Sequence, residues 1–323
     1  MLHILSAVLL LSATPKAEVV EVKKIWDRGQ HNAFTDLARF NDQWFCVFRE
    51  GKAHVSPDGA IRVLTSTDGK EWSSAALITS KTMDLRDPKI MVTPEKELMI
   101  VAAGALHDKS KHSHQSLVWI SKDGKDWGEP TPVADPDFWL WRVSWHGDAA
   151  LGIGYPTGKG DTGGIRVYRS TDGKAWETVA KSAFDKDYPN ETGIVINADG
   201  TATALLRRDK GTLTAQLGTA KPPYAEWTWR DLGVRVGGPA MIRVPDIGLI
   251  AVVRLHDKKV RTGVCAVDEK AGTLTELVTL PSGGDTSYAG LVWHDGLLWV
   301  SYYASHEGKT SVYLAKVRLT GVK

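Results

Sequence analysis

Apolar and polar residues alternate in short runs along most of this chain. Ile61-Arg-Val-Leu64, Ser116-Leu-Val-Trp-Ile120 and Ile165-Arg-Val-Tyr168 show the pattern. A period of two puts successive side chains on opposite faces of a strand. The runs are separated by clusters of Gly, Asp, Asn and Pro, the residues that support turns. No long segment carries the 3.6-residue period of an amphipathic helix. The pattern predicts an all-β protein.

One turn recurs. Ser66-Thr-Asp-Gly-Lys-Glu-Trp72, Ser121-Lys-Asp-Gly-Lys-Asp-Trp127 and Ser170-Thr-Asp-Gly-Lys-Ala-Trp176 all read S-x-D-G-K-x-W, 55 and 49 residues apart. A fixed period near fifty marks a propeller or a solenoid. Asp-Gly tolerates the left-handed backbone of a tight turn. Ser and Asp can bond the turn's own backbone, and Trp can pack back onto the sheet. The aspartates therefore read as structural. Periodicity divides the chain into six units at 31–78, 85–133, 139–180, 188–232, 236–280 and 285–319. Segments 224–227 and 268–272 occupy the turn position in units four and five. Unit six shows three strands, and residues 19–26 are left over as a strand at the other terminus. That strand is expected to pair beside 310–318 and close the ring, which removes exposed sheet edges.

The repeated turn resembles the Asp-box of the sialidase superfamily, one residue shorter than its common S-x-D-x-G-x-x-W form. The resemblance implies a six-bladed β-propeller of four-stranded antiparallel blades, with the N-terminal strand closing the last blade.

Composition narrows the rest. Net charge is +2 over 323 residues, and no basic run or nucleic-acid motif occurs, so a nucleic-acid partner is not expected. The apolar run 2–11, followed by small residues up to Ala17, has the length of a secretory leader and is too short to span a bilayer. The expectation is a signal peptide at 1–17, one propeller domain at 18–323, and a secreted or periplasmic monomer. Cys46 and Cys265 sit inside strand patterns and read as buried free thiols. No Cys/His spacing suits a metal, and His107, His112 and His114 read as polar loop residues. No cofactor is expected.

In a propeller the innermost strands start around the axis at one face. First-strand starts here are 32–36, Arg86-Asp87, Arg142, Asn190-Glu191, Gly237-Gly238 and Ser287-Tyr288. Second-strand ends include Arg49-Glu50, Tyr155, Arg207, Arg254 and Tyr303. This set offers several arginines around a few carboxylates and tyrosines, and a guanidinium fork suits a carboxylate or sulfate.

The resemblance extends to these positions. Asn190-Glu-Thr-Gly with Ala204-Leu-Leu-Arg207 resembles the sialidase fourth blade, which implies Glu191 as general base and Arg207 as a substrate-carboxylate ligand. Ser287-Tyr288-Ala-Gly resembles the sixth-blade segment with the nucleophilic tyrosine, and Lys259-Val-Arg261 the fifth-blade arginine. The family's first-blade arginine is absent, with Asn32-Ala-Phe-Thr-Asp36 in its place; Arg49, Arg86 or Arg142 stands as its substitute. The acid/base belongs to segment 49–59, where Asp58 is the first choice and His54 and Glu50 are alternatives. The implied function is a retaining exo-glycosidase on sialic acid or a related acidic sugar. A non-catalytic glycan-binding propeller, or a propeller hydrolase or lyase on another anionic polysaccharide, is the alternative.

Overall fold

The computed structural model describes residues 14–157 and 163–321. Those residues form twenty-four strands in six antiparallel sheets of four and no helix. Blade one is β2 (His31–Phe40), β3 (Gln43–Gly51), β4 (Ala60–Ser66) and β5 (Ser73–Ile78). Blade two is β6 (Met83–Val92), β7 (Leu98–Leu106), β8 (His114–Ser121) and β9 (Thr131–Val133). Blade three is β10 (Phe138–His146), β11 (Ala149–Pro156), β12 (Ile165–Ser170) and β13 (Glu177–Phe184). Blade four is β14 (Pro189–Ile196), β15 (Ala202–Arg208), β16 (Gln216–Ala220) and β17 (Thr228–Asp231). Blade five is β18 (Val236–Val244), β19 (Gly248–Leu255), β20 (Arg261–Asp268) and β21 (Thr273–Leu280). Blade six is β22 (Thr286–His294), β23 (Leu297–Ala304), β24 (Ser311–Thr320) and, as its outermost strand, β1 (Lys16–Trp26).

The ring closes as the strand deficit requires. β1 runs antiparallel to β24, with Val22 opposite Ala315 and Lys16 opposite Thr320. Lys16 and Ala17, placed in the leader by the sequence reading, thus lie inside the last blade. The rest of that expected leader, up to residue 13, lies outside the described residues. No helix among the described residues is long and apolar enough to cross a membrane.

Hydrophobic cores lie between blades. Val47, Ile61 and Val63 of blade one pack with Ile90, Leu98 and Ile100 of blade two. Val252 and Val264 of blade five pack with Val300 and Ala315 of blade six, and Trp44 and Phe48 of blade one with Trp26 and Trp299 of blade six. Because each blade is sandwiched, its inner strands are buried on both faces: 44–48 in β3 is buried without a break. Alternation survives toward the ring's outer wall, as in β21. Cys46 and Cys265 are free, buried thiols in these interfaces, where burial pushes both well above the ordinary thiol value.

The S-x-D-G-K-x-W turns join third and fourth strands. In the first, Ser66 Oγ accepts from Gly69 N–H (2.9 Å), Asp68 from Lys70 N–H (2.8 Å), and Trp72 Nε1 donates to Gly69 O (3.2 Å). The second and third repeat the pattern around Asp123 and Asp172. The turn glycines have φ near +70° and also touch the preceding blade: a Cβ on Gly124 would stand 2.2 Å from Phe45 Cε1. The aspartates are thus occupied by backbone N–H groups, which hold their carboxyls below the ordinary value.

Candidate functional site

Each innermost strand carries one residue more than its neighbour at the same place. The register slips between Ala33 and Asp36, Arg86 and Lys89, Leu140 and Arg142, Pro189 and Thr192, Gly237 and Ala240, and Ser287 and Gly290. Such a bulge re-aims side chains out of the sheet. Phe34, Asp87, Gly238 and Tyr288 adopt positive φ there (63°, 50°, 54° and 52°). Phe34, Asp87, Glu191 and Tyr288 consequently line one cavity of about 320 Å³ on the axis, at the end away from the S-x-D-G-K-x-W turns. Arg86, Arg207 and Arg254 also line it, as do His54, Trp139 and Tyr155.

At its centre the Tyr288 hydroxyl donates to Glu191 Oε1 at 2.6 Å. Arg207 Nη1 donates to both Glu191 oxygens and to the Tyr288 oxygen, each at 3.0 Å. Gly238 N–H completes the Glu191 shell at Oε2 (2.9 Å). Burial pushes the Glu191 carboxyl up, but the Arg207 charge and the donated hydrogen bonds outweigh it, leaving it below its ordinary value. Burial first, and then the Glu191 charge, push the Tyr288 phenol well above its ordinary value. The resting pair is a neutral phenol against a carboxylate. Gly238 is needed for it: a Cβ there would stand 2.7 Å from Cγ and Cδ2 of Tyr288. Arg254 lies over the phenol ring, 5.1 Å from its centroid.

A second network adjoins the first. Asp285 accepts from His54 Nδ1–H at 2.7 Å, from Arg254 Nη2 at 2.8 Å and from the Tyr303 hydroxyl at 2.7 Å. Burial works against its ionisation, but these partners together with His31 hold its carboxyl far below the ordinary value. His31, His54 and Asp285 have ligand atoms within 4.8 Å of one another, the one such grouping among the described residues. Both Asp285 oxygens already have protein partners, one of them the Arg254 cation, which disfavours a divalent ion there.

The structure brings Glu191, Arg207, Tyr288 and Arg86 together. It places five other expected residues elsewhere. Arg49 is fully buried and holds Asp84 (2.9 Å), Ala53 O (2.7 Å) and Ser56 O (3.0 Å), so it shapes the 52–59 loop instead of facing the cavity. Arg142 bonds Asp36 (3.2 Å) and Ala289 O (2.9 Å) along the axis and does not line the cavity. Arg261 pairs with Glu276 (2.6 Å) and Asp257 (2.9 Å) outside it. Asp58 is exposed, with Lys52 N–H at 3.4 Å, and Glu50 is bound by Trp26 and Arg62. Of the three acid/base candidates only His54 reaches the cavity. Arg254 and Asp87, visible as strand-end residues but without a motif of their own, are the charged cavity residues that the sequence left without a role.

A larger cleft of about 440 Å³ lies at the other end, beside Thr14, Arg243 and Glu269. No tyrosine lines it, and Arg243 is paired with Glu269 at 2.7 Å. The axial cavity, not this cleft, has the converging reactive groups.

No protein-family model matches the chain, and no curated protein sequence matches it. Solved structures do. A Dyadobacter fermentans protein of unknown function superposes with TM-score 0.79 at 17% identity, over 94% of this chain and 100% of that one. The alpha-L-arabinanase of Penicillium chrysogenum, solved with arabinobiose, gives 0.70 at 12% identity over 92% and 98%. A mutant Trypanosoma rangeli sialidase displaying trans-sialidase activity gives 0.68 at 12% identity over 94% of this chain and 60% of that one. The class the fold defines is the six-bladed β-propeller found in sialidases and arabinan-cleaving hydrolases. The chain spans about 60% of the length of the sialidase it matches and nearly the whole of the arabinanase.

Proposed function

We propose that this protein is a retaining exo-glycosidase of the secreted or periplasmic space, acting on terminal sialic acid or a related acidic sugar. The observation that carries the reading is the Tyr288–Glu191–Arg207 contact within the axial cavity. A sugar whose anomeric carbon bears a carboxylate repels a carboxylate nucleophile; a neutral phenol avoids that repulsion, as in the tyrosine exception among glycosidases. Glu191 takes the phenol proton as the Tyr288 oxygen attacks the anomeric carbon. Arg207 donates to that oxygen and favours its developing negative charge. Arg207 Nη2, Arg254 Nη1 and Arg86 Nη1 have no hydrogen-bond partner among the described residues, which leaves donors for an anionic group.

A second reading rests on the pairing of those same arginines. Glu191 and Asp209 face Arg207, and Asp285 faces Arg254, so the cavity's charge is largely balanced. A neutral sugar suits such a cavity, in keeping with the arabinanase that shares the fold. Hydrolysis of aryl sialosides, aryl uronides and aryl arabinofuranosides, measured side by side, separates the readings. Cleavage of the first or second supports the acidic substrate, cleavage of the third alone the neutral one. Binding of glycans with no cleavage makes the propeller a lectin-like module.

A further inference from the structure

Asp87 is the one carboxylate of the axial cavity that the nucleophile pair does not use. It occupies the bulge of β6, 5% exposed, at φ 50°. Pro88 follows it, and a residue before proline is restricted to extended conformations. A non-glycine residue held in the left-handed region under that restriction is a strained position of the kind found at functional sites. Its side chain makes no hydrogen bond and no ion pair among the described residues, and Oδ1 is buried without a partner. A buried ionised carboxylate with no donor is far costlier than a protonated one, so the site favours the protonated form. Burial first, and Glu191 in addition, push its carboxyl above the ordinary 3.8, against the pull of Arg86, Lys89 and Arg49. Glu191, in the same cavity, is held below its ordinary value. Two carboxyls of one site whose surroundings drive them apart divide into an acid and a base.

We propose that Asp87 is the general acid/base of this site, protonating the departing glycosidic oxygen while Tyr288 attacks. The assignment rests on the glycosidase reading above. In the first step the Tyr288 oxygen bonds to the anomeric carbon and its proton passes to Glu191. The bond from that carbon to the leaving oxygen breaks with its electron pair, and the leaving oxygen takes the Asp87 proton. In the second step the Asp87 carboxylate removes a proton from water, whose oxygen attacks the anomeric carbon. The bond to Tyr288 breaks, and its phenolate recovers the proton from Glu191. Protons and charge balance over the cycle. Asp87, Glu191 and Tyr288 come from blades two, four and six, so they reach the sugar from different sides of the axis.

The test compares wild type, Asp87→Asn and His54→Gln on two aryl glycosides of whichever sugar the wild type cleaves, one with a dinitrophenol leaving group and one with unsubstituted phenol. A general acid contributes about 10²–10⁴-fold, and only where the leaving group needs a proton. Asp87→Asn is expected to lower kcat/KM for the phenyl glycoside about 100-fold or more, with a much smaller loss for the dinitrophenyl one. Azide should then accelerate turnover of the activated substrate and yield the glycosyl azide, and the alkaline limb of the pH profile should vanish. His54→Gln should slow both substrates alike. Equal losses on both substrates in Asp87→Asn without azide rescue, or the leaving-group dependence appearing in His54→Gln instead, overturn the assignment while leaving the glycosidase reading in place. A wild type that cleaves no glycoside overturns both. Should Asp87→Asn fail to fold, Asp87→Glu, which keeps the carboxyl, is measured on the same two substrates: a loss confined to the phenyl glycoside upholds the assignment, and equal losses on both overturn it.

Discussion

The Tyr288 hydroxyl stands 2.6 Å from Glu191 Oε1, although 97 positions separate the two in the chain. Blades four and six, not neighbours in the ring, meet there because each first strand carries an extra residue at the axis. Tyr288→Phe removes the attacking oxygen and leaves the ring among Phe34, Trp141 and Tyr303. Hydrolysis is expected to fall by roughly three orders of magnitude or more, since nucleophile losses are of that size. The unfolding midpoint should move little. Retention of most of the rate, measured on the cleaved aryl glycoside, removes the covalent mechanism.

Glu191 links this pair to acid stability. Its folded pKa lies below the ordinary 4.5, so the ionised form favours the folded state. That contribution is fully present above about 4.5 and is lost as pH falls through the folded value. Glu191→Gln should therefore be less stable than wild type at pH 7, by about 1–3 kcal/mol because Arg207 loses a buried partner but keeps Asp209. The gap should shrink near pH 3. A gap that is constant from pH 7 to pH 3 in denaturant titrations contradicts the charge pairing.

Much of the fold was legible because turn chemistry is local. Units 31–78 and 236–280 coincide with blades one and five, and the three-strand deficit of unit six located β1. The site was legible only in part. Glu191, Arg207 and Tyr288 follow from a resemblance at strand ends. The choice within 49–59 did not follow, because buried Arg49 decides it. By holding Ala53 O and Ser56 O, it folds the loop so that His54 faces Asp285 and Asp58 faces solvent. The His54–Asp285 contact spans 231 positions and has no local signature.

Gly238 offers a test of how tightly the pair is held. Alanine at φ 54° costs about 1–2 kcal/mol. Its Cβ would also press on the Tyr288 ring at 2.7 Å, and overpacking costs typically about 1–3 kcal/mol. Gly238→Ala should lower the unfolding midpoint and also depress kcat, since ring displacement breaks the contact with Glu191. A variant with a lowered midpoint and unchanged kcat would mean that the ring tolerates the shift.

The turns at the other end should behave in the opposite way. Ser121→Ala removes the acceptor for the buried Gly124 N–H, at a cost of about 1–3 kcal/mol. Gly124→Ala should cost more, because φ 72° and the 2.2 Å approach to Phe45 combine. Neither residue reaches the cavity, so kcat/KM of the folded fraction should stay within about twofold of wild type. Thermal unfolding and kinetics on the same preparation check both halves; a selective loss of activity would contradict the separation of the two ends.

The two fifth-blade arginines separate the family resemblance from the geometry. The resemblance implies Arg261 as a substrate ligand, yet its guanidinium faces Glu276 and Asp257 away from the cavity. Arg254, seven residues earlier and opposite Gly237, lies over the Tyr288 ring and bonds Asp285 and Tyr303. Lysine keeps the charge of either arginine and loses its planar fork. Arg254→Lys is expected to raise KM about tenfold or more, the loss of one charge-assisted hydrogen bond being about 1.5–3 kcal/mol. Arg261→Lys should leave both kcat and KM close to wild type, with a small drop in stability from the partly exposed Glu276 pair. The reverse order of effects in steady-state kinetics would return the substrate-binding role to Arg261, and would require the 257–261 segment to reorganise when substrate binds.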